Sequence, residues 1–280
     1  MMNSKETKAA LAAAVRAARA AGTVMRKNLH VAKTVNLANA HDIKLELDVQ
    51  CQKLIEGILH RAFPEISFLG EEGEPRAKSA AALRWVVDPS DGTVNFAHGI
   101  PHAAVSIALQ ERVECQVASG ARKRPTHHAS RITNYVTLVG VIYDPFQDEL
   151  WTAMRGAPAR LNGRVIQVSR TTDLGEAMVT MGFVKNRANL RAFVPYFMLL
   201  SRRVRKVRMF GSAALALAYV AMGRFDAYIE RRLNLWDFAA GGLIIECAGG
   251  EFQCQPVPGY LKHRILASNG RLKPTLPPPT

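Results

Sequence analysis

Leu83-Arg84-Trp85-Val86-Val87-Asp88-Pro89-Ser90-Asp91-Gly92-Thr93-Val94-Asn95-Phe96 is the stretch on which the reading of this chain turns. Its first five residues are apolar enough for a buried strand, and Pro89 and Gly92 then punctuate a turn. Asp88 and Asp91 therefore fall at the carboxyl end of that strand. The backbone N–H groups of Gly92 and Thr93, at the start of a helix, can face an anion. Taken alone, two Asp three positions apart also suit a solvated turn closed by an Asx bond.

Two other segments shift that balance. Upstream, Ser67-Phe68-Leu69-Gly70 is a short apolar run that ends in Glu71-Glu72, and downstream Leu235-Trp236-Asp237-Phe238-Ala239-Ala240 sets one Asp at the start of an apolar helix. Glu71, Asp88, Asp91 and Asp237 are hard oxygen donors on separate segments, which is how proteins hold Mg²⁺. Hydrolysis of a phosphate monoester needs neutralisation of a dianion, an activated water and a stabilised leaving oxygen, and two or more Mg²⁺ supply all three.

In these segments, and in Gly211-Ser212-Ala213-Ala214 and Glu246-Cys247-Ala248-Gly249-Gly250, the chain resembles the inositol monophosphatase family of Mg²⁺-dependent, Li⁺-sensitive phosphatases. The motifs keep the family's order and approximate spacing over roughly residues 8 to 270. The resemblance implies an α/β (α+β layered) fold of five layers, αβαβα. Residues 1–149 would form an α+β half carrying Glu71 and the Asp88–Phe96 motif, and residues 150–270 an α/β half carrying Gly211–Ala214 and Asp237.

It also implies roles. Glu71, Asp88 and the backbone carbonyl of Ser90 would hold one Mg²⁺; Asp88, Asp91 and Asp237 a second; Glu71 and water a third, weaker one. Glu71, Thr93 and Asp48 would serve catalysis, the last two as a hydroxyl–carboxylate pair that orients the attacking water. Asp91, Gly92, Thr93, Gly211, Ser212, Ala213, Glu230 and Asp237 would contact the substrate, with Gly92 and Thr93 amides on the phosphate. The less favoured reading of Glu230, beside Arg231 and Arg232, is an ordinary surface acid. The implied substrate is inositol monophosphate or a similar small polyol or sugar phosphate, and the implied assembly a homodimer. A 3'(2'),5'-bisphosphate nucleotidase, a fructose-1,6-bisphosphatase and a histidinol-phosphate phosphatase are the alternative enzymes. Val94-Asn95-Phe96 after Thr93 looks more like the monophosphatase branch than the nucleotidase one.

At 280 residues and 48% hydrophobic, the chain can bury a sizeable core. Leu11, Val15, Ala18, Gly22, Met25 and Leu29 recur at steps of three and four, which predicts an N-terminal helix rather than a removable leader. Asp42 is the predicted cap of a second helix with Leu54, Ile55, Ile58 and Leu59 on its buried side. Strands are expected at Ala103–Leu109, Leu138–Tyr143, Glu149–Ala153, Ala177–Met181, Phe225–Ile229 and Ile265–Ser268. Helices are expected at 188–204, 211–222 and Trp236–Cys247. Cys51, Cys115, Cys247 and Cys254 lack metal-ligand spacing and read as reduced thiols. No apolar run nears the ~20 residues that span a bilayer, so a cytoplasmic protein is expected. Residues 271–280 read as a flexible tail.

One departure from the resemblance is an insertion near residues 115–137, where Arg122, Lys123, Arg124, His127, His128 and Arg131 occur without an acid from Cys115 to Tyr143. It reads as a solvated hairpin loop, or else as an anion-binding flap. With 37 Lys and Arg against 23 Asp and Glu, the net charge of +14 suits a field that steers phosphate esters or polyanions. Helix-turn-helix and aromatic–basic patterns are missing, so nucleic acid is the less favoured partner; an RNA or transcription-complex binding protein on a phosphatase fold is the reading from another class.

Overall fold

The computed structural model describes residues 2–38, 43–73, 81–115, 132–183, 187–259 and 261–272. The chain runs α1 (Ser4–Asn28), β1 (Val35–Ala38), β2 (Ile43–Leu45), α2 (Glu46–Ala62), β3 (Ser67–Gly70), β4 (Leu83–Asp91), α3 (Thr93–Ala97), β5 (Ala104–Cys115), β6 (Ile132–Asp144), β7 (Glu149–Met154), β8 (Arg160–Leu161) and β9 (Arg164–Val165). It continues through β10 (Met178–Met181), α4 (Arg187–Ser201), β11 (Lys206–Arg208), α5 (Ala213–Ala221), β12 (Ala227–Asn234), α6 (Leu235–Cys247), β13 (Glu251–Pro256) and β14 (Lys262–Ser268).

Strands β3 to β9 lie in sequence order in one sheet, and a second sheet has the order β11-β10-β12-β14-β13. Side-chain alternation along β4 and β5 divides the first sheet's faces. Trp85, Val87, Val105, Ile107 and Leu109 pack with α1 and α2, whereas Val86, Ala104 and Ala108 pack with α5 and α6. On β12, Tyr228 joins the α5–α6 layer, while Ala227 and Ile229 pack with Phe193, Tyr196 and Leu200 of α4. Two sheets, each covered on both faces with one helix layer shared, give the expected αβαβα order. The shared layer makes a continuous core from residues of both halves of the chain.

That shared layer sits tight on the first sheet. A Cβ on Gly140 of β6 would lie 2.7 Å from the Ala240 carbonyl oxygen on α6, backbone against backbone, where no rotamer change gives relief. Gly140→Val should therefore cost about 1–3 kcal/mol and lower Tm by roughly 3–10 °C; an unchanged melt would contradict this packing.

Several sequence expectations are corrected. The buried face of α1 is Ala10, Ala13, Ala14, Ala17, Ala18, Ala21, Gly22 and Met25, with Leu11 and Val15 at its margin, because alanines let the helix lie closest to the sheet. Helix α2 begins at Glu46 with Leu45 as N-cap, and Asp48 supplies the capping carboxylate by accepting from the Leu45 amide at 3.1 Å; Asp42 lies outside the described residues. Strands β5 and β6 pair as far as Cys115 opposite Ile132, well past the apolar runs that marked them, since a hairpin arm beyond the core needs no apolar face. The basic residues from Arg122 to Arg131 lie outside the described residues. Arg271 and Leu272 are not tail: the Leu272 side chain is fully buried, and Asn269 accepts from both amides. Among the described residues no helix is long and apolar enough to cross a membrane.

Candidate active site

Strands β3 and β4 are parallel, with Gly70 opposite Val87, so both run out at one edge of the sheet. The Glu71 amide donates to the Val87 carbonyl at 3.1 Å, which brings Glu71 alongside Asp88. Gln52 of α2 fixes that turn: its amide group donates to the Glu72 carbonyl at 2.7 Å, and its oxygen accepts from the Glu72 amide at 2.9 Å.

Strand β4 runs through Pro89 instead of turning there. Asp88 faces Ser106 and Asp91 faces Ala104, so three steps on β4 answer two on β5, a bulge with one extra residue. A bulge tolerates proline, which has no amide to give. It also re-aims the chain so that Asp88 is buried, its Oδ1 accepting from the Ser90 amide at 2.9 Å. Gly92 then turns the chain at φ 99°, a left-handed value that favours glycine; a Cβ there would also lie 2.8 Å from the His102 carbonyl oxygen. The Thr93 hydroxyl donates to the Ser90 carbonyl at 2.9 Å.

The second half of the chain closes the site. Asp91 accepts from the Ser212 hydroxyl and, at 2.7 Å, from the Ala214 amide at the start of α5. Asn95 ties the same two segments by donating to the Phe210 carbonyl at 2.7 Å and the His102 carbonyl at 3.0 Å, and it lies against Gly211. Asp237 sits at the third position of α6, where its carboxylate accepts from the Asn234 amide at 2.7 Å. Beside Asp91, a cavity of about 230 Å³ is lined by Gly211, Ser212, Ala213, Tyr228 and Glu230, with Met181, Phe183, Phe210 and Leu233 as apolar wall.

Asp88 and Asp237 are buried, Asp91 and Glu230 half-buried, and they feel one another's charge. Burial, then the charges of Glu71, Asp91 and Asp237, raises Asp88 well above the usual range; burial, then Glu71 and Asp91, does the same to Asp237. Burial pushes Asp91 up to about 6 against the hydrogen bonds from Ser212, Ala214 and Ala213, and pushes Glu230 up to about 7 with Asp91 adding to it. Like-charged oxygen donors from the end of β3, from β4 and from α6, with Asp88, Asp91 and Asp237 expensive to keep ionised, form the donor chemistry of Mg²⁺, whose charge removes that cost. The residues present fit that ion. Among the described residues, no three such side chains are gathered into one ready-made ligand shell.

The structure thus brings Glu71, Asp88, Ser90, Asp91, Gly92, Thr93 and Asp237 to one sheet edge, and Gly211, Ser212, Ala213 and Glu230 to the adjoining cavity. Among the described residues no hydrogen bond joins Thr93 to Asp48: the Thr93 hydroxyl donates to the Ser90 carbonyl, and Asp48 caps α2. Glu230 is no surface acid. Gln52, Asn95 and Tyr228 were not singled out from sequence, although Gln52 follows Asp48 by one helical turn and Asn95 lies inside the decisive motif.

Comparisons with known proteins agree with this geometry. The pattern of the inositol monophosphatase family matches residues 6–122 and 131–277, breaking inside the basic segment. The chain is 39% identical over 218 residues to an inositol-1-monophosphatase of Rhizobium meliloti, covering 77% of this chain and 73% of that protein. It is 38% identical over 239 residues to a Nus factor SuhB of Xylella fastidiosa, covering 84% and 78%. The solved structure of extragenic suppressor protein suhB from Bartonella henselae matches with a TM-score of 0.79 at 32% identity, over 94% of this chain and 95% of that one.

Proposed function

We propose, for a chain that belongs to the inositol monophosphatase family and is thereby a phosphoric monoester hydrolase, that it is Mg²⁺-dependent and hydrolyses inositol monophosphate or a similar small polyol phosphate. The observation that carries this reading is the convergence of Glu71, Asp88, Asp91 and Asp237, near enough to feel one another's charge though not gathered into a ready ligand shell, beside the Gly92–Thr93 amides and a small cavity lined by Glu230. When bound by Glu71, Asp88, the Ser90 carbonyl, Asp91 and Asp237, Mg²⁺ supplies neutralisation of the ester's charge and of its departing oxygen.

The chain's own groups do the rest. The Gly92 and Thr93 amides orient the phosphate. Thr93, its hydroxyl donating to the Ser90 carbonyl, offers oxygen lone pairs to a water lined up behind the phosphorus, and Glu71 is the carboxylate that takes the water's proton. Asp48 acts more remotely, by fixing the α2 start. On the far side, Asp91 and Asp237 flank the leaving oxygen, and Glu230 receives a hydroxyl of the departing polyol.

Inhibition by Li⁺, a homodimer and a cytoplasmic location complete the proposal. The name of the Xylella relative supports a second reading, a binding role in a transcription complex.

The test is phosphate release from inositol-1-phosphate, adenosine 3',5'-bisphosphate, fructose-1,6-bisphosphate and histidinol phosphate, with Mg²⁺ and with EDTA. Preferred, Mg²⁺-dependent turnover of the first is expected. Turnover of none would leave the binding role as the better reading.

A further inference from the structure

Glu230 is held more firmly than a side chain that merely lines a cavity. The Tyr228 hydroxyl, on a residue 2% exposed, donates to Glu230 Oε2 at 2.5 Å. From the facing strand end, Gly182 comes so near that a Cβ there would lie 1.7 Å from the same oxygen. Gly182 cannot withdraw, because its amide donates to the Ile229 carbonyl at 3.2 Å. Glu230 Oε1, by contrast, takes no hydrogen bond among the described residues, although the residue lines the cavity beside Asp91, Ser212 and Ala213. Phe183 also lines that cavity, stacked on Phe193 with ring centroids 4.6 Å apart.

One carboxylate oxygen pinned, the other open and an aromatic side chain in the same lining make a pocket for a ring with a hydroxyl edge. We propose that Tyr228 is a positioning residue which, through Glu230, selects phosphate esters whose leaving group is a single hydroxylated ring. The proposal rests on the phosphatase reading above and names the device that sets its substrate class. Without the Tyr228 hydroxyl, Glu230 Oε2 loses its donor and the carboxylate is free to turn, so Oε1 no longer stands ready for the substrate. A hydrogen bond to a charged group contributes about 1.5–3 kcal/mol, or roughly 10- to 100-fold.

The experiment compares kcat and KM of the full chain with Mg²⁺ on inositol-1-phosphate and on cyclohexyl phosphate, which has the ring without the hydroxyls. The wild type should prefer the former. In Tyr228→Phe that preference should fall roughly 10- to 100-fold, carried by KM, with kcat on inositol-1-phosphate nearly held. Glu230→Gln should lose the same preference, and the double variant should lose no more than either single one. An unchanged preference in Tyr228→Phe or in Glu230→Gln overturns the proposal. Equal losses on both esters in Tyr228→Phe also overturn it, since they reveal a general structural role. A wild type active on both esters without preference refutes the polyol assignment; one active on neither refutes the phosphatase reading itself.

Discussion

Asp91→Asn should reduce Mg²⁺-dependent turnover by at least about 10³-fold while the protein still folds. Asp91 is where the two halves of the site meet. Its carboxylate accepts from Ser212 and from the Ala214 amide at 2.7 Å, and it contributes charge to the environments of Asp88, Asp237 and Glu230. Asparagine has the same shape, and its carbonyl oxygen can still accept from the start of α5, so the cross-layer bonds survive. What disappears is a negative charge at the centre of the proposed cation-binding set. Burial already pushes Asp91 up to about 6, so a neutral amide does not weaken the fold as loss of a paired charge would. Phosphate release and a thermal melt measure the two sides separately. Near wild-type turnover would remove Asp91 from the catalytic set, and a melt collapsed along with activity would show that it serves the fold instead.

The same residue shows what a sequence can and cannot disclose. Asp88, Asp91 and Asp237 are legible because each stands in or beside an apolar run, where a carboxylate needs a reason to be. Pro89 misleads, since proline and glycine three positions apart suggest a turn, whereas a bulge lets the strand continue to Asp91. Glu230 is illegible on its own: it stands mid-strand before two arginines, and only the register of β12 against β14 and the approach of Gly182 turn it inward. Gln52, Asn95 and Tyr228 work through contacts whose partners are Glu72, Phe210 and Glu230. The first two bonds join residues 20 and 115 positions apart, a relation that no local pattern carries. The layered fold was easier, because helix and strand periodicities are local. Where those periodicities end, as at Asp42 or past Leu109, boundaries slipped.

Removing Mg²⁺ should destabilise the protein at pH 8 far more than at pH 5.5. Asp88, Asp91, Asp237 and Glu230 all have folded-state pKa values above their ordinary ones, Asp91 at about 6 and Glu230 at about 7. An acid raised in this way leaves stability intact while both states are protonated. As pH climbs above roughly 4, the unfolded chain ionises first, and stability falls until the folded carboxyl ionises as well. For Asp91 and Glu230 that window runs from about 4 to about 7. His102 and His263 work in the opposite sense, because burial lowers both below the ordinary imidazole value and stability falls as acid protonates them in the unfolded chain. A melt in EDTA alone would therefore mix two trends. Comparing EDTA with Mg²⁺ at each pH isolates the carboxylates, since a cation among Glu71, Asp88, Asp91 and Asp237 favours their ionised forms and leaves the histidines untouched. At pH 8 the penalty relieved is on the order of a few kcal/mol, so Mg²⁺ should raise Tm by roughly 5–10 °C. At pH 5.5 the folded protein must give up protons to take the ion, and the rise should shrink to a fraction of that. A Tm gain independent of pH would mean that Mg²⁺ binds away from these carboxylates, and no gain at either pH would show that they are not a cation site.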